Sequence, residues 1–395
     1  MSTTHPATLP DRLNPPLVAL FQRLLSEVDS AEGSDWDATD SRLDAKVYSD
    51  PEIHRQEVDR IFRKLPLCLG HADQLPEPGS MLARDLLGLP LLLVRDAQGE
   101  IHVLLNVCRH RGARLVAGQD TVCRQTGLTC PYHAWRYDLD GALRSVPLAA
   151  GFPTLETATR GLRRLPSTVR HGLVWAVLDP AQTGIDVPGL LGGLDDDLAA
   201  LGLGSHKFFR QRVQTRATNW KLVMDAFQEV YHIKRLHART IAPFFLHARS
   251  AGEAVGPHLR ILVGREQLPD AAALPPEAWD LRRHATLTHA IFPNSIVIYH
   301  PDSTSHLGLF PTAPGEVRFV HTMFTPHAAR NPKEQAHWDR TFDMIDGGVF
   351  SAEDLFISEQ IQQGVASGAN HSFVLGRFEQ HLRRFHAQVQ GMLRG

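Results

Sequence analysis

Two short stretches of the 395-residue chain each set one cysteine near one histidine, Cys108-Arg-His110 and Cys130-Pro-Tyr-His133. Thiolates and imidazoles together are ligands of zinc and of iron–sulfur clusters. A tetrahedral zinc site can use such a set, although zinc knuckles more often take two like ligands from one turn. One Cys and one His per loop also suits a [2Fe–2S] cluster whose two irons are both reached by each loop. Cys108 and Cys130 would then hold one iron, and His110 and His133 the other. Exchanging two thiolates for neutral imidazoles removes negative charge and raises the reduction potential. The other two cysteines, Cys68 and Cys123, have no histidine beside them and read as buried or loop thiols.

A second concentration of donors is "DAFQEVYHIKRLH", Asp225 to His237. At about 100° per residue, Glu229 and His232 share a helix face while His237 falls away from it. The plainest reading is a polar helix face with one buried, hydrogen-bonded histidine. A di-iron carboxylate bundle would need Glu-x-x-His twice. Glu334-x-x-His337 repeats the spacing, but strands fill the intervening sequence and two further glutamate helices are missing. The third reading is a mononuclear iron held by two histidines and one carboxylate, leaving open positions for O2. Histidines five apart can converge if the helix ends between them or carries a π-type irregularity.

These residues must be carried by defined elements. "PPLVALFQRLLSEV" and "SDPEIHRQEVDRIFRKL" predict amphipathic helices in the first sixty residues, the latter with a Ser-Asp-Pro start. From Leu65 to Val177 the texture is short strands and turns. "LPLLLVRDAQGEIHVLLNVC" reads as a hairpin, "WRYDLDGALRSV" as another, and "HGLVWAVLD" as a closing strand. The remainder mixes a helix over Asn219–Leu236, strands such as "SIVIYH" and "VRFVHTMF", and helices around Lys333–Met344 and from Asp354 to the end. The fold expected is therefore α+β: a helical arm over 1–60, a small all-β domain over 61–178, and an α+β domain over 179–395.

Composition narrows the function. With 43% hydrophobic and 21% charged residues and a net charge of −2, nothing favours nucleic acid or an anionic membrane as partner. No apolar run is long enough to span a bilayer. "MSTTHPATLPDRLNPPLVALF" lacks the pattern of a signal peptide, so a cytoplasmic location is expected. With 22 histidines, single ones carry little weight.

The motifs, taken whole, resemble a known family. "NVCRHRGARLVAG" and "CPYHAWRYDLDGAL" are similar to the two Rieske cluster motifs, with Ala134 where glycine is more common. "NWKLVMDAFQEVYHIKRLH" and "SAEDLFISEQIQQGVASG" resemble the catalytic segments of Rieske non-heme iron oxygenases, large (alpha) subunits. The resemblance runs from about residue 45 to the C-terminus. It implies a Rieske [2Fe–2S] domain on Cys108, His110, Cys130 and His133, and a helix-grip (START-like) catalytic domain whose iron(II) is bound by His232, His237 and Asp354. It assigns Glu229 not to the metal but to an inter-subunit electron bridge, touching His232 and a cluster histidine of a neighbour, and so implies a homotrimer. O2 would be co-substrate, with NAD(P)H electrons arriving from a separate reductase, directly or through a ferredoxin. The substrate expected is a small aromatic or hydrophobic organic molecule, to be mono- or dihydroxylated. Demethylation of a quaternary amine or methoxy compound is the alternative, because a glutamate at 229 is similar to the carnitine and glycine-betaine branch. A Rieske electron carrier with an inactive second domain is the alternative of another class. Phe227, Ile233 and Phe350 are candidate pocket residues by their proximity to the ligands in sequence; an apolar lining would suit the main reading.

Overall fold

The computed structural model describes residues 13–28 and 36–394. Residues 1–12 and 29–35 of the expected helical arm lie outside the described residues. The chain forms two compact units, Phe62–Leu190 and the combination of Met1–Ile61 with Leu191–Gly395.

The smaller unit is all β, with a four-stranded and two three-stranded sheets. Its first expected hairpin pairs Leu89–Arg95 with Ile101–Leu105. Asp96 shapes the turn: its Oδ1 accepts the backbone N–H of Gln98 and Glu100, both at 2.9 Å, and Gly99 takes a left-handed φ of +89°. The second hairpin pairs Arg136–Tyr137 with Leu143–Ser145. Leu92, Leu104, Trp135, Tyr137 and Leu162 fill the core, and the cysteines Cys108 and Cys130 are buried with them.

The larger unit is built on a seven-stranded antiparallel sheet. In sheet order its strands are Lys207–Arg216, Glu316–Thr325, Thr304–Ala313, Ser295–Tyr299, Ala285–Ile291, His258–Arg265 and Phe245–Val255. Ser295–Tyr299 and Ala285–Ile291 are buried at every position, and Ser295–Tyr299 accordingly shows no polar alternation in sequence. The helix Pro15–Ser26 packs on the last two strands of the sheet. The long antiparallel sheet with helices against it is the α+β arrangement expected.

Two helices differ from expectation. The single helix over Asn219–Leu236 is instead Trp220–Ala226 and Ile233–Leu236. The Glu229 carboxylate accepts the backbone N–H groups of Tyr231 and His232, so those donors are lost to a continuous helix. The C-terminal helix is also broken. A π-helical stretch, Asp343–Asp354, runs into Leu355–Ala366, which ends near Gly368 at φ +70°. A strand, Ser372–Leu375, then pairs with Ser41–Asp44 before the helix Gln380–Arg394.

Candidate functional site

The two Cys/His loops are folded alike. Each cysteine carbonyl accepts from the residue four ahead, Gly112 N and Ala134 N at 3.0 Å, and each cysteine N–H donates five ahead, to Ala113 O and Trp135 O at 2.8 Å. The fourth residue turns left-handed in both, Gly112 at φ +80° and Ala134 at +56°. That accounts for the glycine usual at the position of Ala134.

Tyr137 serves the first loop. Its hydroxyl oxygen accepts Arg109 N–H at 3.0 Å, which leaves the hydroxyl proton to point at Cys108 Sγ, 3.2 Å away. Burial raises the pKa of the Cys108 thiol, and nearby Cys130 adds to the rise. The His110 ring lies parallel to Trp135 at 4.8 Å and edge-on to His133 at 4.8 Å. The Nδ1 atoms of His110 and His133 are both buried without a hydrogen-bond partner. Two thiols and two orphaned imidazole nitrogens suit a cluster. Among the described residues the one set of three or more donors converging within 4.8 Å lies elsewhere. One Cys and one His from each of two like-folded loops suit a two-iron cluster.

The converging set is His232, His237 and Asp354. His232 and His237 flank the four-residue helix Ile233–Leu236, so they meet because the helix is only one turn long. Asp354 closes the π-helical stretch and is buried. Its Oδ1 lies 3.2 Å from His237 Nε2 and 3.8 Å from His232 Nε2, yet is in hydrogen-bonding geometry with neither.

The far side of each ring is tied down. His237 Nδ1 is 2.7 Å from Glu353 Oε2, and His232 Nδ1 is hydrogen-bonded to Glu229 Oε1. With Nδ1–H donated to a carboxylate, each ring presents the Nε2 lone pair to Asp354, the arrangement metal-binding histidines use. Thr240 Oγ1 donates to the same Glu353 oxygen at 2.6 Å. Burial works against a charged His237, but Asp354 and Glu353 outweigh it and leave its pKa above that of an ordinary histidine. These donors fit a divalent iron.

Of the three apolar candidates, Phe227 and Phe350 meet edge to face at 5.7 Å, and Ile233 is half-buried between the two histidines in sequence. Phe350 also packs on His321 at 4.9 Å. His321 bonds Ser305 Oγ at 3.0 Å and Asp346 Oδ1 at 2.9 Å, a buried network that sequence reading did not find. Glu353 was likewise not assigned, although it stands beside Asp354. Glu334 and His337, the di-iron rivals, are engaged on their own surface helix with Arg330 and Asp302. Cys68 is buried and Cys123 half-buried, and neither is in a disulfide.

Residues 66–157 match the family described as Rieske [2Fe-2S] domain, and residues 203–395 the family described as ring hydroxylating alpha subunit (catalytic domain). The glycine betaine monooxygenase oxygenase subunit of Chromohalobacter salexigens is 31% identical over 228 residues, 58% of this chain and 50% of that protein. The biphenyl 2,3-dioxygenase subunit alpha of Rhodococcus jostii is 32% identical over 219 residues, 50% of this chain and 43% of that protein. The chain thus spans about half the length of these curated relatives. A quaternary ammonium Rieske monooxygenase, solved with an inhibitor, shares the fold with a TM-score of 0.76 at 20% identity, over 91% of this chain and 96% of that one.

Proposed function

This chain belongs to the Rieske non-heme iron oxygenase alpha subunits, and from that premise we propose that it is the terminal oxygenase of a multi-component system. Cys108, His110, Cys130 and His133 would hold the [2Fe–2S] cluster, and His232, His237 and Asp354 the mononuclear iron. When bound, the cluster supplies single electrons and the iron supplies dioxygen activation. The observation that carries this reading is the convergence of His232, His237 and Asp354, with both imidazoles tied at Nδ1.

The residues of the chain do the rest. Glu353 holds the proton on His237 Nδ1 and Glu229 the one on His232 Nδ1, fixing which nitrogen faces the site. Phe350 and Phe227 supply apolar surface that keeps water out. Hydroxylation of R–H by O2 to R–OH and water consumes two electrons and two protons, so a separate reductase, with or without a ferredoxin, must draw them from NAD(P)H. Glu229 also stands, in this reading, on the electron path between neighbouring subunits of a homotrimer. Among the described residues no helix is long and apolar enough to cross a membrane; a cytoplasmic setting beside the reductase is the natural one.

The substrate is proposed as a small organic molecule with an aromatic or apolar body, in line with the biphenyl dioxygenase relative. Demethylation of a quaternary amine is the second reading, favoured by Glu229 and by the glycine betaine relative. Turnover under 18O2 with a reductase separates them. Two labelled oxygens in the product mean cis-dihydroxylation and one means monooxygenation, with formaldehyde marking demethylation. Absence of label from every product would leave only the electron-carrier alternative.

A further inference from the structure

One face of the long sheet carries a row of residues that keep a little of their surface. Its pairing sets Val263 opposite Thr286, Ile261 opposite Thr288, and Thr288 opposite Ile298. Side chains alternate along a strand, so these five share a face. They keep between 4% and 8% of their surface, whereas Leu262, Leu287 and Val297 on the other face keep 0%. The same row continues to Ser305, opposite Ile298, and through its hydroxyl to His321 and Phe350. The row is thereby linked to the aromatic residue four positions before Asp354.

Arg265 ends the strand His258–Arg265, in phase with Ile261 and Val263. Its guanidinium lies 5.4 Å from the ring centre of Phe245 and 6.0 Å from that of Phe244, and donates to Thr286 Oγ1 at 3.4 Å. One of its several N–H donors is thereby used. No carboxylate among the described residues pairs with it. Arg260 pairs with Asp197 and Glu253, Arg216 with Glu359 and Arg84 with Asp120, while Arg95 and Arg282 give their N–H groups to backbone carbonyls; among the described residues Arg265 has only the one long bond to Thr286. Burial lowers the pKa of Arg265, with no acid to offset it. An unpaired, partly desolvated cation is costly unless an anion arrives from outside.

We propose that Arg265 is the carboxylate-recognition residue of the substrate pocket, and that the substrate is a small organic acid. Its carboxylate sits on the free edge of the guanidinium, a planar fork that matches it. Its apolar body lies along Ile261, Val263 and Ile298. Phe244 and Phe245 hold the cation in place through their ring faces. The proposal rests on reading this unit as the catalytic half of an oxygenase.

The test is equilibrium binding to the unreduced holoenzyme of three matched pairs: benzoate and benzamide, cyclohexanecarboxylate and its amide, hexanoate and hexanamide. At least one acid should bind about tenfold or more tighter than its amide, the size of one charge-assisted hydrogen bond. Arg265→Gln should abolish that preference, and Arg265→Lys should keep part of it; unchanged far-UV circular dichroism and denaturant unfolding show that the variants fold. Equal binding of acid and amide, no binding of any acid, or a preference that survives Arg265→Gln overturns the proposal. Iron content, measured on the same samples, judges the oxygenase reading separately. A chain without mononuclear iron that still prefers acids would sink that reading and keep the role of Arg265.

Discussion

Glu353 Oε2 lies 2.7 Å from Nδ1 of His237, so the residue next to the candidate carboxylate ligand orients a candidate histidine ligand. One short stretch of π-helix thereby contributes both a donor, Asp354, and the support for a second donor. Replacing Glu353 by alanine should weaken iron binding about 10- to 100-fold, the usual cost of losing such a support. Competition with a chelator measures it. Unchanged affinity would mean that the contact is incidental.

Glu229 is bonded to His232 Nδ1 but also carries the proposed electron path. Glu229→Gln keeps an acceptor for the ring proton while removing the charge. Both metals should be retained and coupled turnover lost, with iron content and product per NADH as the readouts. Loss of the mononuclear iron would return Glu229 to a purely structural part.

Ala134 holds a left-handed backbone, φ +56°, in the second cluster loop. Ala134→Gly should stabilise the smaller unit by about 1 kcal/mol, because the Cβ is what that conformation penalises. Ala134→Val should destabilise it. The midpoint of thermal loss of the cluster's visible absorbance reports both, and an opposite order would show the loop relaxes differently.

Lys221 and Glu57 form an ion pair at 2.5 Å, at 1% and 0% side-chain exposure, and Glu57 also accepts Trp220 Nε1 at 2.8 Å. The pair holds the helix Trp220–Ala226, which leads to Glu229. Lys221→Met should cost about 3–5 kcal/mol, since Glu57 is left buried and unpaired. Adding Glu57→Gln should recover part of the loss. Denaturant unfolding of the two variants makes the comparison.

His300 donates to or accepts from Ser305 Oγ at 3.0 Å. Burial, then the nearby His321, Arg282 and Arg265, push its pKa down to about 3. A histidine depressed in the folded state favours folding above its unfolded pKa, and that contribution fades as pH falls from about 6.5 toward 3. His300→Gln should therefore flatten the acid limb of the stability–pH curve between those values. Parallel curves for the two proteins would contradict the assignment.

Local signals in the sequence carried the hairpins and the turns of the two Cys/His loops, because turn residues and strand patterns act within a few positions. The break between Ala226 and Ile233 was not legible. It depends on the Glu229 carboxylate capturing two backbone N–H groups, which overrides a helix-like pattern. Arg265 was equally hidden. Its meaning comes from strand register and from the lack of an acid nearby, and neither is written in adjacent residues. The network of Ser305, His321 and Asp346 joins two strands and a distant helix, so no window of sequence contains it.

The central claim is that two separate iron sites occupy one chain, one on Cys108, His110, Cys130 and His133 and the other on His232, His237 and Asp354. Iron per chain, measured beside the cluster's visible spectrum in the wild type and in Asp354→Ala, tests it most directly. The wild type should hold about three irons per chain and the variant about two, with the spectrum unchanged. Two irons in the wild type, or loss of the cluster spectrum in Asp354→Ala, would contradict it.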